Sequence, residues 1–215
     1  MFITFEGLDY SGKSSQAKIL VDRLKTEGRG VVFLREPGGS AISEKIRDIL
    51  LDKSYDEMTD EAELFLFSAA RTQLVTEVIQ PALKGGKIVV CDRFFDSTTA
   101  YQGYGRGIDL DVVEAINRLA ARGTTPDLTV LLHIEIEEII RRRKAAGKDT
   151  DRMESSGKEF YERARDGFLD LAKQNPGRFA MFDGSELRDS IAEKIWITVQ
   201  ERLGHSKFKK IKGNS

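Results

Sequence analysis

The chain has 215 residues, and its 34 basic and 35 acidic side chains leave a formal net charge of −1. A balance this close to zero argues against a general nucleic-acid or membrane-surface binder, because such proteins need a standing positive excess. The length allows one α/β domain with an ample core, and no change in composition marks a linker. We therefore expect one domain whose charged sites are local.

The cysteine and the apolar runs indicate a cytoplasmic protein. Cys91 is the single cysteine and lies in an apolar run, as is typical of a small buried residue in a reducing compartment. Glu6 interrupts the apolar amino-terminal stretch, so this stretch does not resemble a secretion signal, and no apolar run has the length of a membrane span. Residues 205–215 are rich in lysine and are expected to form a basic, flexible tail.

Short apolar or β-branched runs alternate with longer helical patterns, which predicts a parallel sheet covered by helices. The predicted strands are residues 2–5, 31–34, 87–91, 127–132 and 179–182. The predicted helices are residues 13–27, 41–51, 59–83, 110–122, 135–145, 158–175 and 186–202. Ligands of such sheets bind at the carboxyl ends of the strands, so the residues that follow each strand are the functional candidates.

The first predicted strand leads directly into a glycine-rich segment with the pattern of a P-loop, Gly7-Leu8-Asp9-Tyr10-Ser11-Gly12-Lys13-Ser14. The glycines allow turns that aim successive backbone N–H groups at an anion, and the following helix adds the positive end of its dipole. The lysine of this pattern reaches the β- and γ-phosphates, and the serine hydroxyl faces Mg²⁺. The predicted ATP-binding residues are Gly7, Leu8, Asp9, Tyr10, Ser11, Gly12, Lys13, Ser14 and Ser15.

Two further strand ends carry charged residues. Arg35 follows the second strand in a loop with one proline and two glycines, which suits a turn that holds a guanidinium over a ligand. Asp92 follows the third strand, where P-loop enzymes place a carboxylate near hydrated Mg²⁺, and Arg93 beside it offers a hold on a phosphoryl group. A structural ion pair between Asp92 and Arg93 is the alternative. Ser14 and Asp92 are the predicted metal residues.

Four segments taken together, 5–14, 35–39, 67–71 and 92–103, resemble thymidylate kinases in order and spacing, and the resemblance extends from residue 1 to about residue 202. It implies a P-loop NTPase fold: an α/β domain at residues 1–204, with a five-stranded parallel sheet, helices on both faces and a short basic lid at about 143–157. It also implies transfer of the γ-phosphoryl group of ATP to dTMP in dTTP synthesis, with Mg²⁺ as cofactor and a homodimer as the assembly.

The resemblance assigns roles in acceptor binding. Phe67 would stack on the thymine and Arg71 would bind its carbonyl edge, and residues four apart on a helix do share a face. Tyr101 would pack beneath the sugar and exclude a 2′-hydroxyl, Asp9 would approach the 3′-hydroxyl, and Arg35 would grip the phosphate. The full predicted dTMP-binding set is Asp9, Arg35, Phe67, Arg71, Arg93, Ser97, Thr98, Tyr101 and Gln102.

The residue at position 10 bears on the source of the catalytic charge. Some members of this family carry an arginine in the P-loop where this chain has Tyr10, and members without it tend to supply the charge from the lid. The stretch 141–152 is strongly basic and contains a glycine, so it resembles such a lid. The predicted catalytic residues are Lys13, Arg93, Arg143, Lys148 and Arg152.

Two other functions remain open at this point. One is a kinase for another nucleoside monophosphate or for a deoxynucleoside. The other is a non-catalytic P-loop regulator, although the chain has neither an Asn-Lys-x-Asp guanine-reading motif nor a Leu-Ser-Gly-Gly-Gln transporter signature, and a sensor would not need a second phosphate site. The expected partners are ATP, dTMP and a second copy of the chain, with no nucleic acid and no membrane.

Overall fold

The structure, a computed structural model, describes residues 1–147, 152–153 and 157–212, with side chains as far as residue 204. The strands in these ranges are β1 (Phe2–Glu6), β2 (Val31–Arg35), β3 (Ile88–Asp92), β4 (Leu128–His133) and β5 (Phe179–Asp183). They form one sheet in the order β2-β3-β1-β4-β5, and every pair of neighbours is parallel. The predicted fold class, an α/β protein with a five-stranded parallel sheet, is confirmed.

The helices follow the strands in alternation. They are α1 (Lys13–Thr26), α2 (Ala41–Leu51), α3 (Asp60–Leu74), α4 (Gln80–Lys84), α5 (Phe95–Thr98), α6 (Leu110–Ala121), α7 (Ile136–Ala146), α8 (Lys158–Gln174) and α9 (Arg188–Lys212). A π-helical turn, Val75–Ile79, joins α3 to α4, and a second one, Thr99–Gly105, extends α5. Ser40 and Thr59 accept hydrogen bonds from backbone amides in the first turns of α2 and α3, which fixes where these helices begin.

Apolar side chains cover both faces of the sheet. On one face, the strands pack against α1 and α9, and this cluster includes Phe5, Leu20, Val90, Val130 and Ile195. On the other face, two clusters lie under α3, α5 and α8, and they include Phe2, Leu74, Val89, Phe94, Leu131, Phe168 and Phe179. The sheet is therefore held rigidly between helices, and its carboxyl edge is a fixed platform for the loops.

The strand register brings the candidate loops together. Phe5 of β1 pairs with Asp92 of β3, and Arg35 of β2 pairs with the same Asp92. Because all three strands run in one direction, the P-loop, the loop after Arg35 and the turn at Arg93 begin side by side at one edge of the sheet.

The sequence predicted all five strands within one residue at either end, but it missed a helix. Residues 95–105 are helical although Gly103 and Gly105 lower the helix propensity of this segment. A Cβ atom at Gly105 would lie 2.7 Å from Phe160 of α8, so the glycine allows close packing of α8, and tertiary contact outweighs propensity here. The last helix also continues to Lys212 rather than ending at residue 202, in keeping with the good helix propensity of lysine.

Candidate active site

The P-loop has a backbone that only glycine permits at two points. Gly7 has φ +133° and Gly12 has φ +96°, and a Cβ atom at Gly7 would lie 2.4 Å from the carbonyl oxygen of Leu132. Gly12 directly precedes α1, so the loop ends at the positive end of this helix. The segment therefore has the geometry of an anion cradle at a helix terminus.

Lys13 lies buried at the base of this loop. Its Nζ donates to the carbonyl oxygen of Leu8 at 3.3 Å and lies 3.6 Å from Asp9 Oδ1. Burial, together with the nearby charge of Arg93, lowers the pKa of Lys13. An anion placed against this ammonium group would offset both effects, so the position favours a phosphate.

Ser14 and Asp92 meet beside the P-loop. The Ser14 hydroxyl donates a short hydrogen bond to Asp92 Oδ2, while the buried Asp92 Oδ1 has no hydrogen-bond partner among the described residues. Both are hard oxygen donors of the kind that Mg²⁺ prefers, and an unsatisfied buried carboxylate oxygen is suited to a cation or its hydration water. The described residues contain no group of three or more His, Cys, Asp or Glu that could hold a metal.

Arg93 joins the P-loop to the neighbouring cleft. Its backbone has φ +72°, which is uncommon for a residue other than glycine. The guanidinium donates to Asp9 Oδ1 at 2.6 Å and to the Gly7 carbonyl oxygen at 3.1 Å on the P-loop side. It also donates to Ser97 Oγ at 3.0 Å and to Tyr101 Oη at 3.2 Å on the other side.

The carboxylate of Asp9 is held in its ionised form. Burial alone would raise the pKa of Asp9, but the charges of Arg93 and Lys13 outweigh burial and lower it well below its usual range. The Asp9 carboxylate therefore keeps its charge across the whole physiological pH range. It also accepts a hydrogen bond from the Tyr101 hydroxyl at 3.2 Å.

A cleft lies next to Arg93 on the side away from Lys13, and it encloses about 600 Å³ of empty space including its mouth. The cleft is lined by Asp9, Glu36, Pro37, Arg47, Leu51, Phe67, Arg71, Arg93, Phe94, Ser97, Thr98, Tyr101, Gln102 and Met153. The anion-binding P-loop, the bridging Arg93 and the cleft thus form one continuous site.

Comparison with known proteins identifies the family. The thymidylate kinase family model matches residues 5–195. The chain belongs to the thymidylate kinase family. It is 44% identical over 214 residues to the thymidylate kinase of Pelotomaculum thermopropionicum, covering 100% of this chain and 97% of that one. It is 47% identical over 211 residues to that of Pelodictyon phaeoclathratiforme, with coverages of 94% and 97%.

A solved structure extends the likeness to the fold. The crystal structure of thymidylate kinase from Ehrlichia chaffeensis superposes with a TM-score of 0.76 at 35% identity, covering 93% of this chain and 98% of that one. The P-loop fold expected from the sequence and its resemblance to thymidylate kinases are both confirmed, and the chain is an enzyme of this family.

Eight of the nine residues predicted to bind the acceptor of a thymidylate kinase line the cleft, and Arg35 does not. Arg35 lies at the rim with 47% of its side chain exposed, donating to Glu44 Oε2 at 2.8 Å and to the Pro37 carbonyl oxygen at 3.3 Å. Arg47 of α2 lines the cleft and donates to the same carbonyl oxygen at 3.1 Å. Arg47 was not predicted from the sequence, because its approach to the cleft depends on how α2 folds back over the loop.

Arg71 is fully buried at the end of the cleft. Its two terminal nitrogens donate to Asn117 Oδ1 and Thr98 Oγ1, both at 2.8 Å, and one of them also forms an ion pair with Glu36. Its Nε has no hydrogen-bond partner among the described residues, so one donor of this guanidinium remains for a ligand in the cleft. Burial raises the pKa of Glu36, although Arg71 opposes this effect. Asn117 and Glu36 were missed because their role depends on contacts distant in sequence.

The basic residues of the predicted thymidylate kinase lid lie in different surroundings. Arg143 is half-buried on α7, and Lys148 lies outside the described residues. Arg152 donates to Glu63 Oε2 at 2.5 Å and to the Leu50 carbonyl oxygen at 2.9 Å. Glu63 lies beside the cleft, because it also accepts from the cleft residue Gln102 at 2.8 Å.

Arg142 of α7 contacts the P-loop directly, which the sequence did not predict. Its guanidinium donates to the Tyr10 carbonyl oxygen at 3.2 Å and to the Gly184 carbonyl oxygen at 2.9 Å. It thereby ties the P-loop to the loop that follows β5. Glu138, one turn earlier on α7, accepts from the same guanidinium at 2.7 Å and holds it in place.

Proposed function

We propose that the chain transfers the γ-phosphoryl group of ATP to dTMP, giving dTDP and ADP, as a step of dTTP synthesis. The observation that carries the proposal is the contact between Arg93 and Asp9, which joins the P-loop to the acceptor cleft. Transfer between two nucleotides requires two anion-binding sites that share a cation, because charge moves from one phosphate to the other. Membership of the thymidylate kinase family supports dTMP as the acceptor.

The mechanism needs no base. The attacking atom is an oxygen of the acceptor phosphate, which is anionic near neutral pH, so catalysis consists of alignment and of charge stabilisation. The P-loop amides and Lys13 hold the donor phosphates, and Arg93 reaches the group in transfer. Asp9 keeps the guanidinium of Arg93 directed at the cleft and, by its likeness to the family, also approaches the acceptor's 3′-hydroxyl.

The base and the sugar are held by the far part of the cleft. Phe67 stacks on the thymine ring, and the unpaired Nε of Arg71 donates to its carbonyl edge. Ser97 and Thr98 offer hydroxyls to the same edge. The ring of Tyr101 packs against Phe160 and Phe168 and is fixed beneath the sugar, where it leaves no room for a 2′-hydroxyl.

Arginines near the rim hold the acceptor phosphate. Arg35 binds this phosphate and exchanges its contact with Glu44 for it, and Arg47 adds a second positive charge from the wall of the cleft. Arginine suits this role because its planar fork forms paired hydrogen bonds with phosphate oxygens.

Mg²⁺ is the proposed cofactor, and Ser14 and Asp92 are the residues that hold it. The unsatisfied Asp92 Oδ1 supports this assignment. When bound, the ion supplies positive charge to the phosphate oxygens during transfer. The hydrogen bond from the Ser14 hydroxyl fixes the Asp92 carboxylate beside the P-loop.

Residues 1–204 form the proposed kinase domain, with a lid at about 143–157 and a basic tail at 205–215. The lid supplies positive charge to the transferred group through Arg143, Lys148 or Arg152, because Tyr10 occupies the P-loop position at which other family members carry an arginine. Lid closure over the site would also exclude water, which otherwise competes as acceptor.

The test is a panel of acceptors in an ADP-release assay: dTMP, dUMP, CMP, UMP and thymidine. We expect the highest kcat/KM with dTMP and a value only a few-fold lower with dUMP, because one buried methyl group is worth roughly 0.8 kcal/mol. The Lys13→Ala protein, purified in the same way, controls for contaminating kinases. A preference for CMP, UMP or thymidine would refute the assignment, and no turnover with any acceptor would favour a nucleotide-binding regulator.

The active assembly is a homodimer packed through helices. Phe65 of α3 and Leu119 of α6 support this proposal, because they are large apolar side chains with exposed fractions of 59% and 78% on two helices that pack together. Light scattering at micromolar concentration should give twice the chain mass. Phe65→Asp combined with Leu119→Asp should give a monomer, whereas Leu187→Asp, at a residue 82% exposed on the approach to α9, should not.

The proposed location is the cytoplasm. Cys91 is fully buried, and burial raises the pKa of its thiol well above the usual value, as suits a reduced, unreactive cysteine. Within the ranges that the structure describes, no helix combines the length and apolar character needed to cross a membrane.

A further inference from the structure

The last residue of β1, Glu6, is a fully buried carboxyl group that the mechanism above does not use. Its side chain has an exposed fraction of 0%, and both of its oxygens have partners. Oε1 accepts from the backbone N–H of Phe94 at 2.7 Å, and Oε2 lies 2.5 Å from the Ser97 hydroxyl. Both partners lie within four residues of Arg93.

These two contacts of Glu6 hold Arg93 through its backbone and through its side chain. Phe94 is the next residue in the chain, so its amide fixes the peptide that follows the left-handed backbone of Arg93 at φ +72°. Ser97 Oγ accepts a hydrogen bond from Arg93 Nη1 at 3.0 Å, so it connects Glu6 to the guanidinium. A left-handed conformation is unfavourable for a residue with a side chain and persists only where the surroundings hold it.

The charges around Glu6 decide how its carboxyl group behaves. Burial, and then the nearby charge of Asp96, raise the pKa of Glu6 to about 8, while the Ser97 hydrogen bond and Arg93 act in the opposite direction. Arg178 holds Asp96 through hydrogen bonds of 2.5 and 2.9 Å. Both contacts of Glu6 can persist in either state, because an ionised carboxylate accepts from Ser97 and a protonated one donates to it.

We propose that Glu6 is a positioning residue for phosphoryl transfer, which holds Arg93 in its bridging conformation through the Phe94 amide and the Ser97 hydroxyl. Glu6 itself touches neither nucleotide. Both of its contacts lead to Arg93, so its effect on the rate of transfer is carried by Arg93. The proposal rests on the proposed function only in so far as Arg93 acts in transfer, and any acceptor that the enzyme uses serves to test it.

The kinetic test compares Glu6→Met with Glu6→Gln. Methionine has a similar length but cannot bond to the amide or the hydroxyl, whereas glutamine offers an oxygen to Phe94 and an NH₂ group to Ser97. We expect Glu6→Met to lower kcat by about tenfold or more with little change in the KM for ATP, as for a group that acts only in the transition state. We expect Glu6→Gln to keep kcat within about threefold of the parent, as rescue by a shape-conserving partner requires.

A double-mutant cycle separates positioning from general stability. In an Arg93→Lys background, Glu6→Met should lower kcat by less than about threefold, because the group through which Glu6 acts is already absent. The same loss in both backgrounds would overturn the proposal, as would a Glu6→Gln enzyme as impaired as Glu6→Met. The assays use the best acceptor from the panel, so a wrong assignment of dTMP would appear in the panel and not in the cycle.

An NMR measurement of Arg93 tests the proposal without relying on turnover. The side-chain ¹⁵N signal of Arg93 in the ADP complex should shift or broaden in Glu6→Met and stay in place in Glu6→Gln. Ser97→Ala cuts the same connection from the other side and replaces Glu6→Met if that variant does not fold. An Arg93 signal that is unchanged in both Glu6→Met and Ser97→Ala would refute the proposal even for a protein that turns over no acceptor.

Discussion

Arg152 Nη2 lies 2.5 Å from Glu63 Oε2, and this contact ties the predicted lid to α3, the helix that carries Phe67 and Arg71. Glu63, Phe67 and Arg71 are spaced four residues apart, so they lie along one face of α3. Burial would raise the pKa of Glu63, but the arginines around it and Gln102 lower it. The ionised Glu63 thereby fixes the neighbour of Arg152, Met153, in the wall of the acceptor cleft.

Arg152→Ala should raise the KM for dTMP by about tenfold and lower kcat much less. The reason is that the side chain bonds to Glu63 and to the Leu50 carbonyl oxygen on the acceptor side, and a charged hydrogen bond of this kind is worth about 1.5–3 kcal/mol. Steady-state kinetics with each substrate varied in turn would measure the split.

The matched control for Arg152 is Arg141→Ala, since Arg141 is 73% exposed and pairs only with Glu138 among the described ion pairs. The Arg141→Ala variant should keep the kcat and the KM for dTMP of the parent enzyme. A large fall in kcat at unchanged KM for dTMP in Arg152→Ala would show instead that Arg152 supplies the catalytic charge, as the sequence predicts.

Lys13→Ala should remove most turnover and leave the fold intact. The ammonium group is buried in the P-loop near Arg93, where both burial and that second positive charge disfavour it, and a bound phosphate would offset both effects. Losing one preorganised charge of this kind should lower kcat by about 10²–10³-fold. Lys18→Ala, an exposed lysine on the same helix, is the control and should behave as the parent enzyme. Near-normal rates for Lys13→Ala would mean that phosphate binds elsewhere.

Arg71→Ala should weaken dTMP binding far more than ATP binding. Its guanidinium is buried between Glu36, Thr98 and Asn117 at the base end of the cleft. Removing a charged partner from such a site costs about 1.5–3 kcal/mol, so the Kd for dTMP should rise about 10- to 100-fold. Calorimetric titration with dTMP and with ADP would measure both affinities. Equal losses for the two ligands would identify Arg71 as structural.

The sequence predicted what depends on local pattern and strand order. The P-loop, Asp92 and Arg93 follow directly from β1 and β3, so their meeting at one edge of the sheet required only a parallel arrangement. Contacts between distant segments were not predictable in this way. Glu63 meets Arg152 across 89 positions, and Glu6 meets Ser97 across 91. Local pattern says nothing of which buried carboxyl group faces which donor.

Arg35 shows how far the contacts of a single side chain can be predicted from the sequence. The sequence placed Arg35 just after the second strand, and it is the last residue of β2, but its contact with Glu44 was not predicted. Glu44 of α2 accepts from Arg35 Nη2 and from the Gly39 amide at 2.7 Å, so the arginine lies along the rim. The Glu44 carboxylate, which competes with a ligand for Arg35, comes from a helix that packs back over the loop. The residues next to Arg35 in the sequence do not predict this contact.

Glu6 should make the stability of the parent protein fall with pH relative to that of Glu6→Gln. Its pKa is raised from 4.5 in the unfolded chain to about 8 in the fold. Between these values the folded protein holds a proton that the unfolded chain has lost, so stability is lost as the pH rises towards 8. The slope is at most about 1.4 kcal/mol per pH unit.

Denaturant unfolding of both proteins at several pH values from 5 to 9 would measure this effect. The comparison with the variant is needed because Asp96, Arg93 and Lys13 surround Glu6 in both proteins. Their own contributions to the pH dependence of stability therefore largely cancel in the difference. The free energy of unfolding of the parent minus that of Glu6→Gln should decrease up to about pH 8 and level off above it. A difference that stays constant or increases with pH would show that Glu6 is already ionised in the fold, and that Ser97 donates to it throughout.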